Sequence, residues 1–195
     1  MGASVNPVDY AILAQRAYSD APTVGKVDSA SRMRVYGDVH AWRGSDDIEA
    51  WLHDLEIMLI ETPFGKLHAG IWHAWLDVRS LCLAFSPPSA VTGHSEGAAL
   101  AIFEAAEWAH LGHIVPVYAF EPPRICGDDA MERLFQEMKI PFYATRNGND
   151  IVTQVPLGLA LPGPLTSIGN PALPVDNPID HELPRVITSL QRMAA

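Results

Sequence analysis

The 195-residue chain carries 13 basic and 23 acidic residues for a formal charge of −10, with 48% hydrophobic and 18% charged residues. That balance fits a globular protein, excludes a disordered one, and disfavours nucleic acid or anionic membranes as partners. The length fits one domain over residues 1–195, and no apolar run approaches the roughly 20 residues of a membrane span. Residues 1–6 lack the basic flank and apolar core of a secretory signal. The two cysteines, Cys82 and Cys126, sit in apolar surroundings and read as core thiols, so a reducing, cytoplasmic setting is expected.

In chain order, Ile12, Leu13 and Ala17 stand at helical spacing and predict a helix over residues 7–18. Residues 32–36 and 39–42 flank Gly37-Asp38 and read as a β-hairpin. Ile48, Trp51, Leu52 and Leu55 mark one face of a short helix, with Ser45 or Asp46 as its cap. A strand over 56–61 and a helix over 69–85 follow, the latter stopped by Ser86-Pro87-Pro88. Further on come a strand over 114–120 with an irregular start at Pro116, a helix over 128–137 and a strand over 142–145. This alternation implies an α/β fold with a largely parallel sheet and helices on both faces. Residues 156–184 hold seven prolines and no helical period, which predicts a long, stiffened loop. A helix from Pro184 through Met193 closes the chain.

The most specific motif is Gly93-His94-Ser95-Glu96-Gly97, between apolar Ala90-Val91-Thr92 and the small-residue helical run from Ala98 to about His110. Strand, turn and helix in that order make G-x-S-x-G a nucleophile elbow, which lifts the serine hydroxyl out of the sheet. Such a serine needs a base, and the base an orienting acid, both later in the chain. Seven of the eight histidines lie before residue 114; only His181 lies late enough to be the base. Asp150, after the strand over 142–145 and a turn-forming cluster, stands where the acid belongs; Asp176 and Asp180 are rivals. One oxyanion donor is expected from the backbone N–H of Glu96. The second is expected from the loop Trp42-Arg43-Gly44-Ser45, where Gly44 permits close approach.

These blocks together resemble the class 3 lipase family, over roughly residues 10–181. Trp42-Arg43-Gly44-Ser45 with Trp51-Leu52-His53-Asp54-Leu55 is similar to its Phe-Arg-Gly-Thr/Ser block and the Trp-Leu-x-Asp-Leu continuation. Leu67-His68-Ala69-Gly70-Ile71 is similar to its His-x-Gly-Phe block, and residues 92–100 to its Thr-Gly-His-Ser-Leu-Gly-Gly-Ala-Leu. Ala119-Phe120-Glu121-Pro122-Pro123-Arg124 resembles its Thr-Phe-Gly-x-Pro-Arg, and residues 147–156 the segment bearing its aspartate. The resemblance implies a triad of Ser95, Asp150 and His181, with Ser45 and Glu96 forming the oxyanion hole. It also maps a lid onto residues 48–55. Three positions depart from the family pattern: Glu96 replaces an aliphatic residue, Ala98 a second elbow glycine, and Glu121 a glycine.

The expected activity is hydrolysis of small-molecule or lipid carboxylic esters through an acyl-enzyme, with no cofactor and no metal. His110-x-x-His113 and His68-x₄-His73 lack zinc-ligand spacing. The same triad could serve acyl transfer, thioester cleavage or amide hydrolysis, and an inactive binding module is the remaining alternative. Leu157, Leu159, Leu161, Leu165 and Ile168 are expected to wall an acyl pocket.

Overall fold

A computed structural model of the chain describes residues 6–26, 31–48, 52 and 58–194. Eight strands and five helices are described. The strands are β1 (Arg32–Tyr36), β2 (Val39–Arg43), β3 (Leu59–Thr62), β4 (Gly65–His68), β5 (Ala90–His94), β6 (Val117–Phe120), β7 (Phe142–Asn147) and β8 (Leu165–Ile168). The helices are α1 (Pro7–Ser19), α2 (Ala69–Cys82), α3 (Glu96–His110), α4 (Ala130–Glu137) and α5 (Leu183–Ala194). Six strands form one sheet in the order β1-β2-β5-β6-β7-β8, antiparallel between β1 and β2 and parallel throughout the rest. The predicted hairpin is β1–β2, and Gly37 turns it at a φ of 63°, in the left-handed region that glycine enters freely.

Strand parity divides the core. Ala90 and Tyr118 point into a cluster with α1 and α5, while Val91 and Ala119 point into the larger cluster with α2, α3 and α4. Successive residues of a strand face opposite sides, so helices cover both faces. The side chain of Asn6 accepts from Val8 N to cap α1, and Pro7 opens it. The buried face of α1 is Val8, Ala11, Ala14 and Ala17, whereas the predicted Ile12 is exposed. Methyl groups on that face bring the helix close to the sheet, where Tyr10 stacks on Tyr118 with ring centroids 3.8 Å apart.

Every residue of α3 from Glu96 to Ala109 is buried. Two of its buried acids, Glu104 and Glu107, are paired. Glu104 accepts from His40 Nδ1 (2.6 Å), Trp42 Nε1 (2.7 Å) and Trp108 Nε1 (3.1 Å), and Glu107 binds the Arg79 guanidinium at 2.5 and 2.8 Å. Polar groups this deep are tolerated because each has partners.

Two expectations need correction. The strand expected over 56–61 is not part of the parallel sheet: β3 and β4 form a separate antiparallel pair. The tight turn at Gly65 (φ 95°) returns the chain at once, so no crossover helix can make that connection parallel. The proline-rich segment is not all loop either. Leu165-Thr166-Ser167-Ile168 alternates apolar and polar residues and pairs with β7 as the edge strand β8. An edge strand accommodates Pro164 directly before it, because its outer N–H groups need no partner. The helix expected over 48–55 lies largely outside the described residues. Cys82 and Cys126 are both free and buried, as expected of core thiols. Among the described residues no helix is long and apolar enough to cross a membrane.

Candidate active site

The parallel strands β2, β5, β6 and β7 end along one edge of the sheet, the edge at which sheets of this type place ligands. Past those ends the ladder continues by single bonds: Ser95 N donates to Phe120 O (2.9 Å) and Glu121 N to Thr145 O (3.0 Å). Ser95, Glu121 and the segment after Asn147 are therefore brought side by side.

Ser95 has φ 59° and ψ −133° between β5 and α3. A non-glycine residue there is strained by about 1–3 kcal/mol, held in place by its surroundings. The flanking glycines show how. A Cβ on Gly93 would fall on the Gly97 carbonyl, and one on Gly97 would come within 2.6 Å of Arg43 C and O. A Cβ on Gly44 would meet His94 O at 2.6 Å and Ser95 Cβ at 2.9 Å, so the loop after β2 abuts the serine as the sequence reading expects. Ser45 follows in that loop at the mouth of a cavity. The N–H of Glu96, first residue of α3, has no acceptor within its own helix. The Glu96 side chain is buried, and burial pushes its carboxyl above the ordinary value even at a helix N-terminus that favours negative charge.

His181 lies in a short 3₁₀ turn, Ile179–His181, and its Nδ1 donates to Asp150 Oδ2 at 3.1 Å. That bond places the proton on Nδ1 and leaves Nε2 as an acceptor. Burial alone would raise the Asp150 carboxyl. His181, Glu121 and the Val152 N–H (3.0 Å) outweigh it and hold Asp150 below the usual carboxylate range. Among the described residues, the buried atoms Ser95 Oγ and His181 Nε2 make no hydrogen bond. They are the two atoms a proton transfer would join.

The rival acids have other partners. Asp176 pairs with Arg146 at the surface. Asp180 is buried and accepts from the N–H groups of Asn149 and Ala172, from Asn177 Nδ2 and from Arg185. It knits the proline-rich segment to the β7 end, which is what delivers its neighbour His181 to the site.

Sequence reasoning left two contributors without a role. The imidazole of His94 lies 4.5 Å from that of His181, ring centroid to centroid, and His94 Nε2 donates to the His181 carbonyl at 2.8 Å. Because a carbonyl only accepts, the His94 proton sits on Nε2, and Nδ1 accepts from the Tyr18 hydroxyl at 2.7 Å. Tyr18 ends α1, 76 residues before His94, and no local pattern announces that pairing. Burial, aided by His181, lowers the His94 pKa from 6.5 to about 3. An unfolded His94 takes its proton near 6.5 and a folded one near 3, so between those values the unfolded state binds more protons and stability rises with pH. The contribution is present above 6.5 and lost in acid, amounting to about 3 kcal/mol by about pH 4. Urea midpoints measured between neutral pH and that point are expected to fall steeply in the wild type and less steeply in His94→Asn.

The second is Glu121, fully buried, with φ 54°. Its carboxylate oxygens accept from Asn147 N at 2.9 and 3.1 Å, and the carboxyl also reaches that of Asp150. Glu121, Asp150 and His181 bring one donor atom each within 4.8 Å of one another. Each carboxyl already accepts a backbone N–H, and one proton shared between the two removes their mutual repulsion, so the close approach needs no bridging metal.

A cavity of about 380 Å³ opens beside these groups, lined by Tyr18, Ser45, Ile48, His94, His181 and Leu183 among others. The leucines expected to wall an acyl pocket do not line it. Leu157 is exposed, Leu159 is buried, Leu161 and Leu165 pack on the larger core, and Ile168 belongs to the core under α5. Within β8, Leu165 and Ile168 turn to opposite faces of the sheet, whereas the cavity forms at the strand ends.

The model of the family described as Lipase (class 3) matches residues 39–159. No curated protein matches the chain. Among solved structures the chain is similar to a lipase from Rhizopus microsporus var. chinensis, at 18% identity and a TM-score of 0.70 over 90% of this chain and 84% of that one. It is similar to the triacylglyceride lipase of Rhizomucor miehei, at 20% identity and a TM-score of 0.63 over 80% and 76% of the two chains. A structure described for an unusual buried polar cluster in a family of fungal lipases aligns at 22% identity and a TM-score of 0.66 over 90% and 82%. These likenesses show the α/β-hydrolase fold. The family match, which spans more than half of the sequence, shows the rest: the chain belongs to the class 3 lipases and is a serine ester hydrolase.

Proposed function

We propose that Ser95 is the nucleophile, His181 the general base and Asp150 its orienting acid, with the backbone N–H groups of Ser45 and Glu96 as the oxyanion hole. The observation that carries this reading is the His181 Nδ1–Asp150 Oδ2 bond of 3.1 Å beside a serine held at φ 59°. His181 Nε2 removes the Ser95 proton as Oγ attacks the ester carbonyl. The two amides hold the tetrahedral oxyanion, and His181 then protonates the departing alcohol. Asp150 stays ionised and stabilises the imidazolium. Water repeats the cycle on the acyl-enzyme and frees the carboxylic acid. His94, neutral and hydrogen-bonded to the backbone of His181, fixes the base without exchanging protons with it. The substrate ester enters through the cavity between the α1 end and the 178–184 segment.

A fluorophosphonate probe distinguishes an activated nucleophile from an ordinary serine. Wild type is expected to label to one equivalent and Ser95→Ala not at all; equal labelling of the two proteins would overturn the assignment.

A further inference from the structure

We propose that Glu121 is a positioning residue for this reaction: as a neutral carboxylic acid it donates a hydrogen bond to Asp150 and so fixes the carboxylate that orients His181. The proposal rests on Ser95, His181 and Asp150 being the triad.

Three observations lead to it. First, a glutamate occupies a left-handed backbone position (φ 54°) that glycine would take without strain. Strain retained next to reacting groups points to a use for the side chain. Second, Glu121 and Asp150 are both fully buried and bring carboxyl oxygens within 4.8 Å of one another. Two adjacent carboxylates in a dry site cannot both be ionised, so they share one proton. Third, the partners decide who holds it. Asp150 accepts from His181 Nδ1 and Val152 N, which favour its charged form. Glu121 has one backbone donor, Asn147 N, and is otherwise desolvated. The proton therefore resides on Glu121 and points at Asp150. Consistent with this, burial and the neighbouring Asp150 push the Glu121 carboxyl well above its ordinary value.

This geometry gives Asp150 three fixed hydrogen bonds instead of two. It also sets a limit on pH. The titratable and charged groups around Glu121 are Asp150 and His181, Arg146 on β7, and His94, which faces His181 and Asp150 from β5. Burial and Asp150 oppose ionisation of Glu121, while the Asn147 N–H and, among the charged groups, Arg146 favour it. Once alkaline pH removes the Glu121 proton, the donor to Asp150 becomes a second anion. On the alkaline side, activity therefore falls as pH climbs through the raised pKa of Glu121.

The test is kcat and KM on p-nitrophenyl butyrate across neutral to alkaline pH for wild type, Glu121→Gln, Glu121→Leu and Glu121→Gly, with urea midpoints for each. Glu121→Leu and Glu121→Gly are expected to lose about 10–100-fold in kcat at unchanged KM, the scale seen for outer partners that orient a functional group. Glu121→Gly should do so while matching or exceeding wild-type stability, because it relieves the backbone. Glu121→Gln, whose amide donates to Asp150 but does not titrate, should retain most of that kcat and lose the alkaline decline. Wild-type kcat in Glu121→Gly, or an alkaline decline unchanged in Glu121→Gln, would overturn the proposal. A wild type that takes no fluorophosphonate label overturns the triad itself, and this proposal with it, whatever the Glu121 variants show.

Discussion

Ser95→Ala is expected to lower kcat for p-nitrophenyl butyrate by about 10⁴–10⁶-fold, while the protein remains as stable as wild type or slightly more so. The activity loss follows from removing the atom that forms the acyl-enzyme. The oxyanion amides and the cavity would remain, so a residual rate above the uncatalysed one is expected. The stability outcome follows from burial: Ser95 Oγ is buried and makes no hydrogen bond among the described residues, so alanine removes an unsatisfied group without opening a cavity of any size. Adding His181→Ala to Ser95→Ala should cost little further activity, because groups that act as a unit are not additive. A double variant with multiplied losses would mean that the two residues serve separate steps.

Asp150→Asn is expected to lower kcat by about 10⁴-fold with KM little changed. An asparagine amide donates where the carboxylate accepts. Facing a donor, His181 would put its proton on Nε2, the tautomer that cannot take a proton from Ser95. The bond it would spoil is the 3.1 Å contact from Nδ1 to Asp150 Oδ2. Fluorophosphonate labelling of Asp150→Asn should slow in parallel with kcat. Steady-state kinetics at neutral pH, with circular dichroism confirming the fold, separate this from global damage. Retained labelling with lost turnover would instead assign Asp150 to deacylation alone.

The elbow is legible in five residues because its demands are local. Gly93 and Gly97 are needed where strand and helix backbones touch, and those contacts lie within four residues of Ser95 or on the abutting β2 end. The pairing of His181 with Asp150 is legible from chain order, since both follow Ser95, Asp150 just past the strand ending at Asn147 and His181 in the irregular proline-rich segment. The alanine face of α1 is hidden because small residues carry weak hydrophobic signals, while Ile12 and Leu13 beside them carry strong ones. Strand β8 is hidden by the prolines around it, and β4 by its four-residue length. The polar groups behind the triad are hidden for another reason. Tyr18 to His94, His94 to His181 and Glu121 to Asn147 are pairs 76, 87 and 26 residues apart, and each depends on three-dimensional proximity with no spacing rule behind it. Glu121 leaves a trace in the sequence, as an acid where the family pattern has glycine, yet its meeting with Asp150 emerges only when β6 and β7 lie side by side.

Trapping the acyl-enzyme addresses the central claim most directly. Wild type mixed with p-nitrophenyl butyrate, quenched in acid within milliseconds and digested, is expected to give a butyryl adduct on the peptide containing Ser95. The burst of p-nitrophenol should equal the amount of adduct. An adduct on another residue, or turnover with no adduct and no burst under conditions where Asp150→Asn is inactive, would contradict the account.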